Sequence, residues 1–531
     1  MLHGPHSRPH AHQQHKSTLS EPIKDPNNAH EQQPRGPQAG FAMSDTEVDA
    51  APSTEKDKDA SEVGWEPSDT ADPLCPRSFS RRRKWLIVCI LASVSLAVTC
   101  ASSIYTATYD RMEADFHNSR IVSVLGLSSF VLGISIGPMF LSPLSEFYGR
   151  RPIYLVAWAA YTIFLVPQAL AHSVALVIVF RFLDGFTGSA FLAVAGGTVG
   201  DLFSKDELQA PMAVFSVAPF IGPSLGPLLG GFINYNVTWR WTYYLLLIWS
   251  GFILVAVALF VPETYHPILL RNKARKLRKE TGDEHWIAPT EHVQKSVPRA
   301  IGRSLLRPFQ LLIFEPMCLN LCILSALLLG ILYLFFGAFP LIFGTAHAFN
   351  RWQTGLAFLG IMVSMVVGVA TDPIWHRIRS RLIIRHRRQT NGVEGSEPEF
   401  RLPPAIFGSV CVPAGLFMFG WSTYPWVHWI VPIIGSAIFG LGIMLLFTGI
   451  FTFLVDAYPQ YAASALAANA FVRCLFAAAF PLFGNQMYKR LGYQWASSLL
   501  AFLTLIMMPF PYIFFRYGKR IRAKSRFASK A

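Results

Sequence analysis

The chain is expected to be an all-α polytopic membrane protein, with twelve transmembrane helices arranged in two six-helix halves. Three observations predict this. Of its 531 residues, 52% are hydrophobic and only 15% charged, well below the roughly 25% charge of an ordinary soluble domain. Apolar runs long enough to cross about 30 Å of hydrocarbon at about 1.5 Å per residue recur along it. Lys and Arg gather in short runs beside those stretches rather than along a groove-sized patch, which fits a membrane protein and argues against nucleic acid as a partner.

In chain order, residues 1–76 carry a net charge of −7 while the rest carries +21. Rich in Pro, Gln, Ser and acids, this segment holds too little apolar surface to offset ordering entropy, and it is expected to be a disordered acidic cytoplasmic tail. Its histidines His3, His6, His10, His12 and His15 lack companion ligands and read as a solvated low-complexity tract rather than a metal site. The polar start MLHGPHSRPH has no apolar core of a signal peptide. The spans are predicted at about 85–107, 121–142, 152–171, 174–200, 210–233 and 241–261, then 317–343, 353–374, 404–421, 428–455, 462–487 and 493–515. They divide residues 77–261 and 317–515 into two halves around a basic loop, 262–316, and leave a basic tail, 516–531. Two six-span halves are the layout of a secondary transporter.

Orientation follows from the basic residues. With the N-terminus inside, the inner segments hold 32 Lys and Arg and the outer loops 6, so both termini are expected to be cytoplasmic. The odd set of seven Cys lies mostly within apolar runs, where thiols act as small hydrophobes, and no disulfide framework is expected. The sequon at Asn236 lies beside the membrane and is expected to be unused. In the central loop, Ile268, Leu269, Leu270, Ala274 and Leu277 alternate with Lys and Arg at helical spacing. That pattern suits either an amphipathic helix on the anionic inner leaflet or a solvated linker helix.

Between spans 2 and 3 the chain reads Ser142-Pro143-Leu144-Ser145-Glu146-Phe147-Tyr148-Gly149-Arg150-Arg151, where Gly149 gives a tight turn its freedom and Glu146 and the arginines supply charges. This resembles the signature loop of the major facilitator superfamily, G-x-L-a-D-R-x-G-R-R, with Ser142 for its first Gly, Glu146 for Asp and Phe147 for Arg. Span 4 begins Arg181-Phe182-Leu183-Asp184-Gly185 and ends with Asp201, similar to the fourth-span motif. Span 5 holds Gly222, Gly226, Pro227, Gly230 and Gly231 in the pattern G-x-x-x-G-P-x-x-G-G, similar to that of proton-coupled antiporters. Glycines four apart let helices approach closely. The segments PETYHPILLRNKARKLRKETGD (262–283) and 454–500 resemble the fungal twelve-span drug:proton antiporters, which export drugs, polyamines and secondary metabolites.

The resemblance implies a proton-coupled antiporter exporting small amphipathic organic molecules by alternating access, without a cofactor, monomeric, and in the plasma membrane. Polyamine export is the alternative, although polycations favour several cavity-facing acids and Asp184 alone lies deep in a span. A nutrient sensor or receptor is the alternative of another class, and neither terminus reads as a folded signalling domain. An enzyme needs clustered nucleophile, base or metal ligands, and the spans carry none. Arg181 and Asp184, three apart on one helical face, are expected to form an ion pair that a proton opens. Glu146, Gly149, Arg150, Arg151 and Asp201 are expected to form an inner gate, with Asp201 pairing Arg150 and Glu146 near Ala462–Ser464, where the N-terminus of span 11 favours an anion. A second-half echo, Gly368 followed by Asp372, lacks the motif's second Gly at Trp375; Asp372 and Asp456 are expected to be solvated helix ends. Polar and aromatic candidates for the substrate path are Tyr105, Asn320, Tyr333, Asn469 and Arg473.

Overall fold

The computed structural model describes residues 61–65, 72–204, 207–289, 291, 297–389 and 396–528. The histidine tract and most of the acidic tail lie outside the described residues. Among the described residues, twelve helices are long and apolar enough to cross a membrane: Arg81–Phe116, Arg120–Tyr148, Arg150–Ala169, Val174–Leu202, Gln209–Asn236 and Arg240–Phe260, then Pro316–Ala346, Arg351–Gln389, Pro403–Trp421, Ile430–Ala457, Pro459–Leu491 and Tyr493–Ala523. All twelve fall where the apolar runs predict them. Ser80 caps span 1 by accepting from the Arg83 amide, and an Asn350–Gln353 capping box opens span 8. Span 8 runs well past its expected end at 374 because Pro373 falls in the first turn of a fresh helical segment, where it is tolerated; that segment, Asp372–Gln389, is rich in Arg and leaves the apolar zone.

Two features of the spans govern the interior. Span 1 is not a continuous α-helix: Arg81–Ile104 gives way to a 3-10 turn at Tyr105–Thr108 before helix resumes. Glycine seams set helix against helix at close range. A Cβ at Gly226 would fall on the backbone of Cys100 and Ile104 in span 1, and one at Gly222 on Thr99. Spans 9 and 10 meet the same way, through Gly408 and Gly415 facing Gly435 and Gly442. The halves meet along spans 2 and 11, where Ser128 Oγ donates to the Ala478 carbonyl (2.6 Å) and Ser135 Oγ to that of Phe471 (3.2 Å). They also meet along spans 5 and 8, where Gly355 lies against the Pro227 carbonyl and Gly231 against Arg351.

The face that carries the central loop holds a small assembly of its own. The linker helix His266–Thr281 turns its Leu270, Ala274 and Leu277 toward Val63, Trp286 and Ala288. Ser61–Glu62 pairs as a parallel strand with Trp286–Ile287, and Lys273 Nζ reaches the Gly64 carbonyl (2.9 Å) and Asp72 Oδ2 (2.7 Å). Part of the expected lipid-facing or solvated stripe is therefore covered by the chain itself. The segment expected to be disordered as far as residue 76 is ordered at residues 61–65 and 72–76, held by that cover.

Candidate functional site

Three groups of polar side chains stand out in an otherwise apolar bundle. The first lies within the N-terminal half. Arg181 is buried and donates from Nε to the Gly126 carbonyl (2.8 Å) and from Nη2 to those of Ala101 (3.2 Å) and Ser102 (3.1 Å). Its guanidinium also lies 4.2 Å from the Tyr105 ring and 4.6 Å from that of Phe130. The Ala101 and Ser102 carbonyls are open to it because span 1 changes to a 3-10 turn just beyond them, which takes the usual i+4 donors away from the carbonyls near its end, while the Gly126 carbonyl belongs to the continuous span 2. Asp184, equally buried, accepts from Gln168 Nε2 of span 3, and its Oδ1 has no partner.

The expected Arg181–Asp184 ion pair is therefore not formed. Three residues along an α-helix leave about 60° between side chains, enough for Arg181 to turn to spans 1 and 2 while Asp184 turns to span 3. Gln168 was not singled out in the sequence, since nothing along the chain ties a lone Gln in span 3 to an acid in span 4. Tyr105, expected on a substrate path, lies beneath Arg181, against Gly126 and edge-on to Tyr109.

The second group is the junction of spans 2, 3 and 4 with the central loop. Gly149 ends span 2 at φ +98°, a conformation that suits Gly. Arg150, 5% exposed, places Nε 3.4 Å from Asp201 Oδ2 and Nη1 3.0 Å from Ser145 Oγ. The expected pair is present, and more deeply buried than a surface gate requires. Arg151 donates instead to the Ala258 carbonyl (3.0 Å). What the motif did not reveal is Glu263. Its Oε1 accepts the amides of Arg150 (3.0 Å), Thr264 (3.0 Å) and Tyr265 (2.9 Å), and its Oε2 that of Arg151 (3.1 Å). A carboxylate there satisfies orphan donors and the dipole at the N-terminus of span 3, and a Cβ at Gly149 would strike it. Burial, then the neighbouring Glu146 charge, pushes the Tyr265 phenol up, opposed by Arg150. Asp201 is also held through its backbone: His266 Nε2 meets the Asp201 carbonyl at 2.9 Å, while Trp65 Nε1 donates to His266 Nδ1 at 3.1 Å. A ring nitrogen that accepts from Trp65 leaves the imidazole proton on Nε2, facing the carbonyl.

At the same face of the second half, Asp456 is not the solvated helix end expected, whereas Asp372 does open an exposed helix end, Asp372–Gln389. Asp456 pairs with Arg401 (2.7 Å) and Arg379 (3.7 Å), and Asp372 accepts from Gln209 Nε2 across the halves (3.4 Å). Glu399 and Arg522 form a two-pronged buried pair, 2.8 and 2.9 Å. Glu315 gathers the Tyr458 hydroxyl (3.2 Å), Ser525 Oγ (2.7 Å) and two amides of the C-terminal segment. The partners come from span 5, span 8, the turn before span 9, the end of span 10 and the region of span 12 and beyond, too far apart in sequence for spacing to connect them.

The third group lies on spans 7 and 11. Tyr333 exchanges a buried hydrogen bond with Ser102 Oγ of span 1 (2.9 Å). Asn320 Oδ1 and both amide atoms of Asn469 are sealed from solvent without partners, as are Nε and Nη1 of Arg473. The Arg473 guanidinium lies 5.2 Å from the Phe447 ring and 4.9 Å from that of Phe451. Such contacts contribute roughly 0.5–2 kcal/mol, less than the several kcal/mol needed to desolvate an ion.

The chain matches the model of the Major Facilitator Superfamily over residues 87–481. It is 52% identical over 486 residues to the efflux pump atB of Aspergillus terreus, covering 91% of this chain and 93% of the relative. It is 44% identical over 463 residues to the probable drug/proton antiporter YHK8 of Saccharomyces cerevisiae, covering 87% and 89% of the two chains. Among solved structures, the xylose transporter XylE of E. coli in a partially occluded inward-open conformation superposes with a TM-score of 0.56 at 15% identity, over 81% of this chain and 99% of that one. By these matches and by its two six-helix halves, the chain belongs to the major facilitator superfamily, within its fungal drug-efflux family.

Proposed function

We propose that this protein is a proton-coupled antiporter that exports small amphipathic organic molecules, xenobiotics or fungal secondary metabolites, by alternating access. The observation that carries the reading is Asp184, a buried carboxyl in mid-span, held by one amide rather than by an arginine and with one oxygen free. Burial favours the neutral form of an acid and a nearby positive charge favours its anion, so a carboxyl beside Arg181 yet not bonded to it is suited to gain and lose a proton. The span 5 seam of Gly222, Gly226, Pro227, Gly230 and Gly231 supports the same reading, by letting span 5 lie directly on the broken span 1. The similar yeast protein's name, probable drug/proton antiporter, agrees with it.

In this reading, Glu146, Gly149, Arg150, Arg151 and Asp201 form the gate on the central-loop face, with Glu146 drawn to the N-terminus of span 11 near Ala462–Ser464. That face is cytoplasmic, the membrane is the plasma membrane, the transporter works as a monomer, and substrate passes Tyr105, Asn320, Tyr333, Asn469 and Arg473. Flux in proteoliposomes under an imposed pH gradient, with a panel of drugs, polyamines and fungal metabolites, tests it. Uphill export with a pH gradient as its sole driving force is the expected result. Export indifferent to the gradient would end the antiporter reading, and a preference for polyamines would replace the substrate class.

A further inference from the structure

The third polar group has a sign. Arg473 sits midway along span 11, half-buried, with two guanidinium nitrogens sealed and unpartnered. No carboxylate pairs with it among the described residues; its neighbours are the Cys474 thiol, a weak acceptor within hydrogen-bonding reach, the Tyr333 phenol and the Cys322 thiol. One turn earlier, on the same helical face, Asn469 is 1% exposed and offers both an unpartnered donor and an unpartnered acceptor. Beside the guanidinium, Phe447 and Phe451 stack with centroids 5.5 Å apart and planes within 5°. Phe447 stacks in turn on Phe220 of span 5 at 5.5 Å, so the aromatic wall extends across both halves.

A cation left in a low-dielectric interior without an anion is costly, and cation–π contact offsets only a fraction of that cost. No backbone carbonyl accepts from Nε or Nη1 of Arg473, although spans 7, 10 and 11 run past it as helices. The partner that fits is therefore a ligand. A planar fork of N–H donors matches a carboxylate or comparable oxyanion, the Asn469 amide adds a donor, and the phenylalanine wall accepts a flat apolar body.

We propose that Arg473 and Asn469 are the anion-binding end of the substrate site, and that the exported molecule is an organic anion carrying an oxyanion head on a flat apolar body. This rests on the exporter reading above. Polycations and cationic drugs would meet like charge at this site.

The test uses the full chain, purified in detergent, with naphthalenesulfonate and its neutral twin naphthalenesulfonamide as probes, followed by intrinsic tryptophan fluorescence. The sulfonate is expected to bind about tenfold or more tightly than the sulfonamide, as charge-assisted bonds warrant. Arg473→Gln should erase that preference while binding the sulfonamide as before. Arg473→Lys, which keeps the charge but loses the fork, should retain part of it, and it carries the test should the glutamine variant fail to fold. Equal binding of the two probes, failure of the sulfonate to bind, or a preference that survives Arg473→Gln overturns the site. Flux separates the two readings, because the sulfonate stays charged and cannot follow a pH gradient by itself. Sulfonate that binds but is not exported uphill from vesicles removes the exporter reading and leaves the anion site standing; sulfonamide exported in preference to sulfonate removes the anion site and leaves the exporter.

Discussion

Each half of the molecule sets one arginine inside a span, Arg181 buried and Arg473 half-buried, and the two are treated oppositely. Arg181 has three backbone carbonyls and two aromatic faces. Arg473 has two aromatic faces and no acceptor on the fork nitrogens Nε and Nη1. The difference lies in the neighbouring backbone rather than in the arginines. Two of the Arg181 carbonyls belong to span 1, which breaks into a 3-10 turn just beyond them, whereas spans 7, 10 and 11 run past Arg473 as helices and none of their carbonyls accepts from its Nε or Nη1. A broken helix turns a membrane arginine into a structural clamp, and intact helices leave it for something that comes and goes.

The largest effect that tests this contrast is on folding. Arg181→Met should orphan the two buried span 1 carbonyls of Ala101 and Ser102, at on the order of 1–3 kcal/mol each, while Gly126 keeps Ser129 Oγ, and folded yield by size-exclusion chromatography should fall sharply. Arg473→Gln should leave the melting temperature unchanged or higher, since it removes an uncompensated charge. Equal losses in both variants would erase the distinction.

Next come the seams. Gly226→Leu would drive a side chain into the backbone of Cys100 and Ile104, beside the carbonyls that Arg181 uses, and should abolish transport at a stability cost of about 1–3 kcal/mol or more. Gly251→Leu, where nothing lies within 4 Å, is the matched control and should transport as wild type. Normal transport by Gly226→Leu would mean that spans 1 and 5 need not stay in contact.

Asp184→Asn follows, with little effect on folding and a complete effect on coupling. The isosteric amide can still accept from Gln168, but it cannot carry a proton. Substrate binding by fluorescence should persist while uphill export under a pH gradient disappears. Uphill export at the wild-type rate would pass the proton to another acid, Glu146 first.

How much of this was legible in the sequence depends on how far apart the partners lie. All twelve spans were legible, because apolar length is a property of a continuous stretch. Arg181, Asp184, Asn469 and Arg473 were legible as groups uncomfortable in lipid, and Arg150 and Asp201 as charges of two separate motifs, the loop between spans 2 and 3 and the end of span 4. The partners were not. Gln168 reaches Asp184 from another span, Glu263 caps span 3 from the central loop, and the carbonyls that hold Arg181 are free through a local change of helix type that side-chain pattern does not announce. Asp456 read as a solvated end for the same reason: Arg379 and Arg401 arrive from two different segments.

At the proposed gate the halves differ again. Arg150→Ala leaves Asp201 buried beside His266 and Glu263 without its arginine, so export should slow several-fold and stability should fall by about 1–3 kcal/mol, more than a surface ion pair is worth. A rate and a melting temperature both equal to wild type would remove the gate from this junction.

The smallest expected effect is at Trp65, where the first half's gate is braced from outside the bundle. The indole donates to His266 Nδ1, and His266 Nε2 meets the carbonyl of Asp201; Lys273 lies 5.6 Å from the indole ring. The second half has its brace at the other end of the chain, where Glu315 collects Ser525 and the amides that follow. Trp65→Ala removes one half-buried hydrogen bond and a ring contact, about 1 kcal/mol, and leaves Arg150, Asp201 and Glu263 in place. Export should change by less than about threefold, since 1.4 kcal/mol corresponds to a factor of ten and only part of the lost contact bears on the gate. Limited trypsin cleavage at Arg271, Lys273 and Arg275 of the linker helix should nonetheless quicken, because their cover has loosened. If Trp65→Ala slowed export as far as Arg150→Ala does, the segment around residue 65 would belong to the gate itself rather than to its brace, and the two halves would differ in mechanism as well as in scaffolding.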